Sequence, residues 1–269
     1  MAIIGFIAAI FIGISLGLIG GGGSILTVPV LFYLFELDMV TSTAYSLFIV
    51  GITSLIGSFQ YYRRGLVNLK TAVVFGIPSI VAVYITRAFI LPAIPEQLGR
   101  IGDFEMSKDL FLMLLFSLLM IAASFSMIRK SVNKKSETGA QKFNYPLIFI
   151  EGSVVGILTG LVGAGGGFLI IPALVMLSKL PMKEAVGTSL VIIATKSLIG
   201  FQGDLWRLAK EDIQVDWNIL LVVSSFAIAG IFLGNYLSSK VNGDKLKPAF
   251  GWFVLLMGSY IIVKELFLS

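Results

Sequence analysis

The sequence predicts an all-α polytopic membrane protein. It divides into two inverted repeats, each a broken or re-entrant helical hairpin plus three transmembrane helices. Three observations carry this. Apolar runs recur along the whole 269 residues, with 57% hydrophobic and only 13% charged residues, against about 25% charged in soluble domains. A glycine-rich stretch occurs twice. The charged loops alternate in sign along the chain.

Apolar segments fall at about 2–19, 25–36, 41–61, 71–92, 109–129, 145–162, 168–178, 184–202, 217–237 and 247–267. They do not alternate polar and apolar residues, as membrane β-strands do. The mean hydropathy is +0.97. Met1 to Gly20 lacks a basic leader region and resembles an internal segment, so it is expected to be a retained helix.

The first glycine stretch runs Gly17-Leu18-Ile19-Gly20-Gly21-Gly22-Gly23-Ser24, with Pro29 beyond it. The second runs Gly160-Leu161-Val162-Gly163-Ala164-Gly165-Gly166-Gly167, with Pro172 beyond it. A shift of 143 residues aligns 13–57 with 156–200 without a gap, and 20 of the 45 positions are identical. Glycines, prolines and serines match in register, which an internal duplication explains and apolar bias does not. The expected organisation is a first membrane repeat at 1–130, a cytoplasmic linker at 131–143 and a second repeat at 144–269.

Loop charges give the orientation. The loops with Arg63, Arg64 and Lys70, with Arg129 to Lys142, and with Lys240, Lys245 and Lys247 are basic and are placed inside. Those around Glu96 to Asp109 and around Asp204 to Asp216 are acidic and are placed outside. Equivalent loops then face opposite sides. Each repeat must cross an odd number of times, so its first two segments form a hairpin that enters and leaves by one face. Segment 25–36 supports this, since 12 residues span about 18 Å of a core of about 30 Å. In a competing arrangement both hairpin arms cross, the repeats are parallel, and the charge rule is broken.

Glycine costs a helix interior roughly 1 kcal/mol relative to alanine, so four together should break it. Broken backbone at membrane depth must be buried or line a polar cavity. The short helices that follow present free amides and a positive dipole end, which attract anions. Gly20, Gly21, Gly22, Gly23 and Ser24, with Gly163, Gly165, Gly166 and Gly167, are therefore candidate backbone contacts to an anion. Helix packing is the competing explanation, but packing favours glycines spaced by three residues. No Gly-Lys-Ser/Thr follows either cluster, which argues against nucleotide binding.

Lys196 lies well inside an apolar segment, where a lysine is costly and should face protein, a cavity or an ion. The alternatives are snorkelling to the interface or a carboxylate partner. Ser189 lies seven residues earlier on the same face, and Ser46 and Thr53 are the equivalents in the first half. Each half so presents a polar stripe: Ser42, Ser46, Thr53 and Gln60 in one; Ser189, Lys196 and Gln202 in the other. Glu151 is a candidate for proton coupling or a headgroup-level residue. Arg87 reads as an outer-interface anchor. Tyr61, Tyr62, Trp206, Trp217 and Trp252 read as an aromatic belt.

Cysteine and histidine are both absent. This excludes thiolate metal sites and disulfides, and it removes the usual general base. No enzyme activity, metal or cofactor is expected. The net charge of +5 sits in a few loops, so nucleic acid is not an expected partner. Lipid and a small anion are.

The duplicated Gly-Leu-x-Gly-x-Gly-Gly with its following proline, and Gly187-Thr188-Ser189-Leu190 opening the next helix, resemble the TauE/SafE family of sulfite and sulfonate exporters. The first half has Ala44-Tyr45-Ser46-Leu47 in place of the second motif. The resemblance covers essentially the whole chain. It implies a prokaryotic cytoplasmic-membrane permease for sulfite, another sulfur oxyanion or an organosulfonate. A secondary transporter of a small anion is the leading expectation; an anion channel of paired half-helices is the alternative.

Overall fold

The computed structural model describes residues 2–21, 23–101, 104–128, 145–163, 165–176, 180–210, 214–238 and 243–267. The expected linker at 131–143 and the candidate residue Gly22 lie outside them. The first half contains α1 (Ala2–Ile19), α2 (Ser24–Leu34), α3 (Met39–Arg63) and α4 (Leu69–Ile85). A π-helical turn, Thr86–Ile90, leads from α4 into the short α5 (Leu91–Ala93). The β1 (Gln97–Ile101) and β2 (Phe104–Ser107) hairpin and α6 (Lys108–Ile128) complete this half. The second half contains α7 (Tyr145–Val162), α8 (Gly167–Met176), α9 (Met182–Lys210), α10 (Trp217–Ser238) and α11 (Gly243–Phe267).

Polar residues set the helix starts. Asp38 caps α3 by accepting from the Thr41 amide at 2.9 Å, and Asn68 caps α4 by accepting from the Thr71 amide at 3.0 Å. The expected segments match the helices with two differences. An antiparallel β-hairpin occupies part of the acidic loop before α6. And α9 continues to Lys210, well past the end of the apolar run at 202.

Among the described residues, five helical stretches are long and apolar enough to cross a membrane: Met39–Arg63, Leu69–Ala93, Lys108–Phe125, Met182–Lys210 and Trp217–Ser238. Their outward faces carry large apolar side chains, among them Phe59, Val73, Ile77, Phe89, Leu118, Phe125 and Leu221. In water that surface would be a liability. In a bilayer it faces solvent of its own kind.

Each glycine break folds the chain back into a helical hairpin. In the first, the Phe35 ring at the end of α2 packs on Gly5 and lies 5.9 Å from the Phe6 ring near the start of α1. At the tip, Gly23 packs against Ile12, Ser15 and Leu16. In the second, Gly166 packs on Thr159, the positions equivalent to Gly23 and Leu16. At the equivalent positions Gly20 and Gly163 the backbone turns through φ +83° and +69°. Residues with a Cβ adopt that conformation only at a cost, which is why these positions are glycine.

Packing between the halves is reciprocal. α1 packs on α10, and its equivalent α7 packs on α4. The equivalents α3 and α9 pack on each other, as do α6 and α11. Both self-equivalent pairs run antiparallel. Gly51 meets Leu198 and Gly200 meets Leu47, while Gly187 meets Tyr61; likewise Gly251 meets Ile128 and Gly258 meets Met120.

Spaced glycines also make close helix contacts. Gly13 and Gly17 of α1 interlock with Gly230 and Gly234 of α10. Gly152, Gly156 and Gly160 of α7 approach Phe75, Ser79 and Thr86 in the same manner.

Candidate substrate site

The tips of the two hairpins touch. Gly21 lies directly on Gly167, so closely that a Cβ on either would overlap the other's backbone. Every described glycine of the two tips is buried. Helices α9 and α3 wall the contact. Gly20 faces Val186 and Ser189 of α9, and Gly163 faces Thr43 of α3. Thr43 is the repeat equivalent of Val186, so these two contacts are also reciprocal. Gly165 lies beside Val50, Ile193 and Ser197.

Lys196 is fully buried. A methyl group built on Gly166 would sit 2.6 Å from its Nζ, so the ammonium lies at the turn that opens α8. Its Nζ donates to Thr159 Oγ1 at 2.8 Å. Among the described residues no carboxylate pairs with it. Fully buried, Lys196 does not snorkel. It stands where the free amides and positive end of α8 already repel a cation. A small anion there would satisfy both.

The other candidates divide. Ser189 is buried beside Gly20 and donates to the Val186 carbonyl at 2.8 Å. Ser24 is buried in the first tip, its hydroxyl on the Gly21 carbonyl at 2.7 Å. Ser46 is buried with no hydrogen-bond partner for its Oγ. Thr53 is buried and spends its hydroxyl on the Ile49 carbonyl at 2.6 Å. In the two polar stripes, Gln60 accepts from Asn235 at 3.0 Å, and Gln202 is exposed. Glu151 is partly exposed, 12 residues before Gly163, about 18 Å along a helix. The structure does not bring it to the tips.

Three expectations are corrected. Arg87 is no interface anchor; it is fully buried. Its Nη1 donates to Thr43 Oγ1 at 2.9 Å and contacts Asp204 Oδ1 at 3.4 Å. Asp204 is not in an outer loop but fully buried on α9. Tyr61 does not belong to an aromatic belt; it is buried and donates to the Gly17 carbonyl at 3.3 Å. Tyr62, Trp206, Trp217 and Trp252 are exposed as expected.

The π turn explains Arg87. One extra residue in the helical turn re-aims a side chain, and such turns gather at functional sites. Gly160 of α7 and Gly203 of α9 let the turn pack between those helices. The sequence signal was the polar pair Asp204 and Arg207 one turn apart, at the end of an apolar run.

A multi-pass helical membrane protein, with glycine-broken hairpins meeting tip to tip beside a buried ammonium, is built like a carrier of small solutes. The comparisons agree. The chain matches the family described as Sulfite exporter TauE/SafE over residues 5–261, and it belongs to that family. It is 29% identical over 259 residues to a probable membrane transporter protein of Xylella fastidiosa (strain 9a5c), covering 93% of this chain and 91% of that one. It is 27% identical to a probable membrane transporter protein of Methanocaldococcus jannaschii, covering 98% and 94%. It is 26% identical to the probable membrane transporter protein YunE of Bacillus subtilis (strain 168), covering 97% and 99%. No solved structure matches. The chain is a membrane transporter.

Proposed function

We infer that this transporter is a secondary carrier of a small anion, namely sulfite, another sulfur oxyanion or an organosulfonate, in the cytoplasmic membrane of a prokaryote. The anion sits where the hairpin tips meet, held by the Lys196 ammonium, the first amides of α8 and the hydroxyls of Thr159 and Ser197. The single observation that carries this reading is the position of Lys196. It is fully buried, has no carboxylate partner among the described residues and lies at Gly166. An unpaired charge in such a place is costly and marks function. Ser197 Oγ, buried and without a hydrogen-bond partner, lies 3.3 Å from a Cβ built on Gly165 and adds a second polar group.

The two halves are read as inverted across the bilayer, which the antiparallel pairing of α3 with α9 and α6 with α11 supports. Alternating access then comes from rocking of the hairpins against the long helices. The buried contact of Gly21 with Gly167 favours a carrier over an open pore.

The test is uptake of sulfite, thiosulfate and sulfoacetate into proteoliposomes. The expected result is saturable flux with counterflow for at least one anion, lost in Lys196→Ala. Non-saturating flux without counterflow would establish a channel. Flux at the wild-type level in Lys196→Ala would remove lysine from the site.

A further inference from the structure

A second buried charge cluster flanks the other end of the same break. Asp204 is the one carboxylate that is buried among the described residues. It meets Arg87 through a single contact of 3.4 Å, Nη1 to Oδ1. Its Oδ2 has no hydrogen-bond partner, and neither have Nε and Nη2 of Arg87. Thr43 of α3 accepts from Nη1. Among the described residues, the other charged group acting on the pair is Arg207, three residues along α9. A methyl group built on Gly163 would lie 2.5 Å from Arg87 Nη2. The unpartnered edge of the guanidinium therefore opens onto the break whose far end, Gly166, touches Lys196.

We propose that Arg87 and Asp204 form the coupling site of the carrier, where the transported oxyanion displaces the Asp204 carboxylate from Arg87 and a proton binds Asp204 in its place. This rests on the anion-carrier reading above. The guanidinium cannot shed its charge, and buried among apolar helices it needs a negative partner. Asp204 meets that need through one long contact. An oxyanion at Gly163 can accept two parallel N–H bonds from the fork, the stronger arrangement. Once displaced, an ionised Asp204 would be a buried carboxylate robbed of its main counter-charge, a costly state. Taking a proton on Oδ2 removes that cost.

The proton offsets one negative charge of the anion, so a monovalent sulfonate crosses with no net charge and a divalent thiosulfate carries one net negative charge. The only bond formed is O–H on Asp204, the proton coming from the aqueous phase to which the site is open. On the opposite side the anion leaves, the proton leaves with it, and Arg87 re-pairs with Asp204. The carrier is thus a proton–anion symporter, and Asp204 takes the role that the sequence suggested for Glu151, which does not meet Arg87.

The experiment is calorimetric binding of thiosulfate to the full-length protein in detergent, in two buffers of different ionisation enthalpy. Thiosulfate is fully ionised near neutral pH, so any proton taken up is bound by the protein. The expected result is uptake of about one proton per anion, from the balance of one buried carboxylate. Asp204→Asn should retain anion binding and lose the uptake. Binding without uptake by the wild-type protein would overturn the coupling proposal and leave the anion reading standing. Unchanged uptake in Asp204→Asn would also overturn it. Failure of thiosulfate, sulfite and sulfoacetate alike to bind would overturn the anion reading, and this proposal with it. The wild-type result decides even if Asp204→Asn fails to fold.

Discussion

Gly21 of the first hairpin rests on Gly167 of the second with no room for a Cβ on either. The first is the last described residue before Gly22, and the second opens α8. The meeting point of the halves is therefore backbone on backbone. Overpacking a buried contact costs about 1–3 kcal/mol where side chains can shift. Backbone cannot shift as readily. Gly21→Ala and Gly167→Ala should each abolish anion flux and lower the thermal midpoint in detergent. Gly99, in the β1–β2 hairpin with nothing within 4 Å of a built Cβ, is the comparison. Gly99→Ala should leave flux unchanged. Normal flux in both tip variants would show that the tips do not need this contact.

The Lys196 to Thr159 hydrogen bond, at 2.8 Å, aims the ammonium at the α8 turn. Hydrogen bonds to charged groups contribute about 1.5–3 kcal/mol. Lys196→Met should therefore raise the half-saturating anion concentration by roughly 10- to 150-fold, or abolish flux. Thr159→Val keeps the charge and loses its tether together with one hydroxyl of the site, so a smaller rise is expected. Lys196→Arg should not restore the wild-type value, because a planar fork does not fit a point-charge site. Concentration dependence of counterflow reads all three. Equal values for Thr159→Val and Lys196→Met would mean that position, not charge, is what the site needs.

Much of this was legible in the sequence because it rests on spacing. Duplicated glycines matched in register and predicted two broken hairpins. Apolar length predicted the long helices. Lys196 stood out because a lone lysine in an apolar run has few bland explanations. Arg87 and Asp204 were misplaced for a physical reason. Each sits near the end of an apolar run, where interface anchoring is the default. What buries them is long-range, since 117 residues separate the partners. It also depends on the π turn and on α9 continuing past its apolar stretch. Neither is a periodic feature. Tyr61 was read as interfacial for the same reason, its burial being set by α1, α8 and α9. The roles of Ser46 and Thr53 were inferred from symmetry with Ser189 and Lys196, but the sequence alone could not show that Ser189 stands beside Gly20 and Lys196 beside Gly166. The repeats share a backbone plan more closely than they share side-chain chemistry.

Arg87 and Asp204 give a stability prediction separate from their proposed role in coupling. Removing one member of a buried ion pair leaves the other uncompensated, at a cost of about 3–5 kcal/mol. Arg87→Ala and Asp204→Ala should each lower the midpoint of SDS-induced unfolding markedly. The double variant should lose less than the sum of the two, with an interaction term of about 0.5–3 kcal/mol. Strict additivity would mean that the 3.4 Å contact does not couple the two groups energetically.

The antiparallel pairing of α3 with α9 makes a topological prediction. α3 has 25 residues, about 38 Å at 1.5 Å per residue, which exceeds a hydrocarbon core of about 30 Å. α9 is longer, at 29 residues. Both therefore cross, and their C-terminal ends emerge on opposite sides if they lie along the membrane normal. Arg64 follows α3 and Gln214 follows α9, and both are exposed. The chain has no cysteine, so each introduced thiol is alone in its protein. Arg64→Cys and Gln214→Cys, labelled in intact cells with a membrane-impermeant maleimide, should react from opposite faces. Gln214→Cys should label from outside, and Arg64→Cys only after the membrane is opened, following the positive-inside rule. Labelling of both from the same face would make the repeats parallel. It would also require a second crossing by the α1–α2 and α7–α8 hairpins, whose Phe35 end packs beside Gly5 in the first of them.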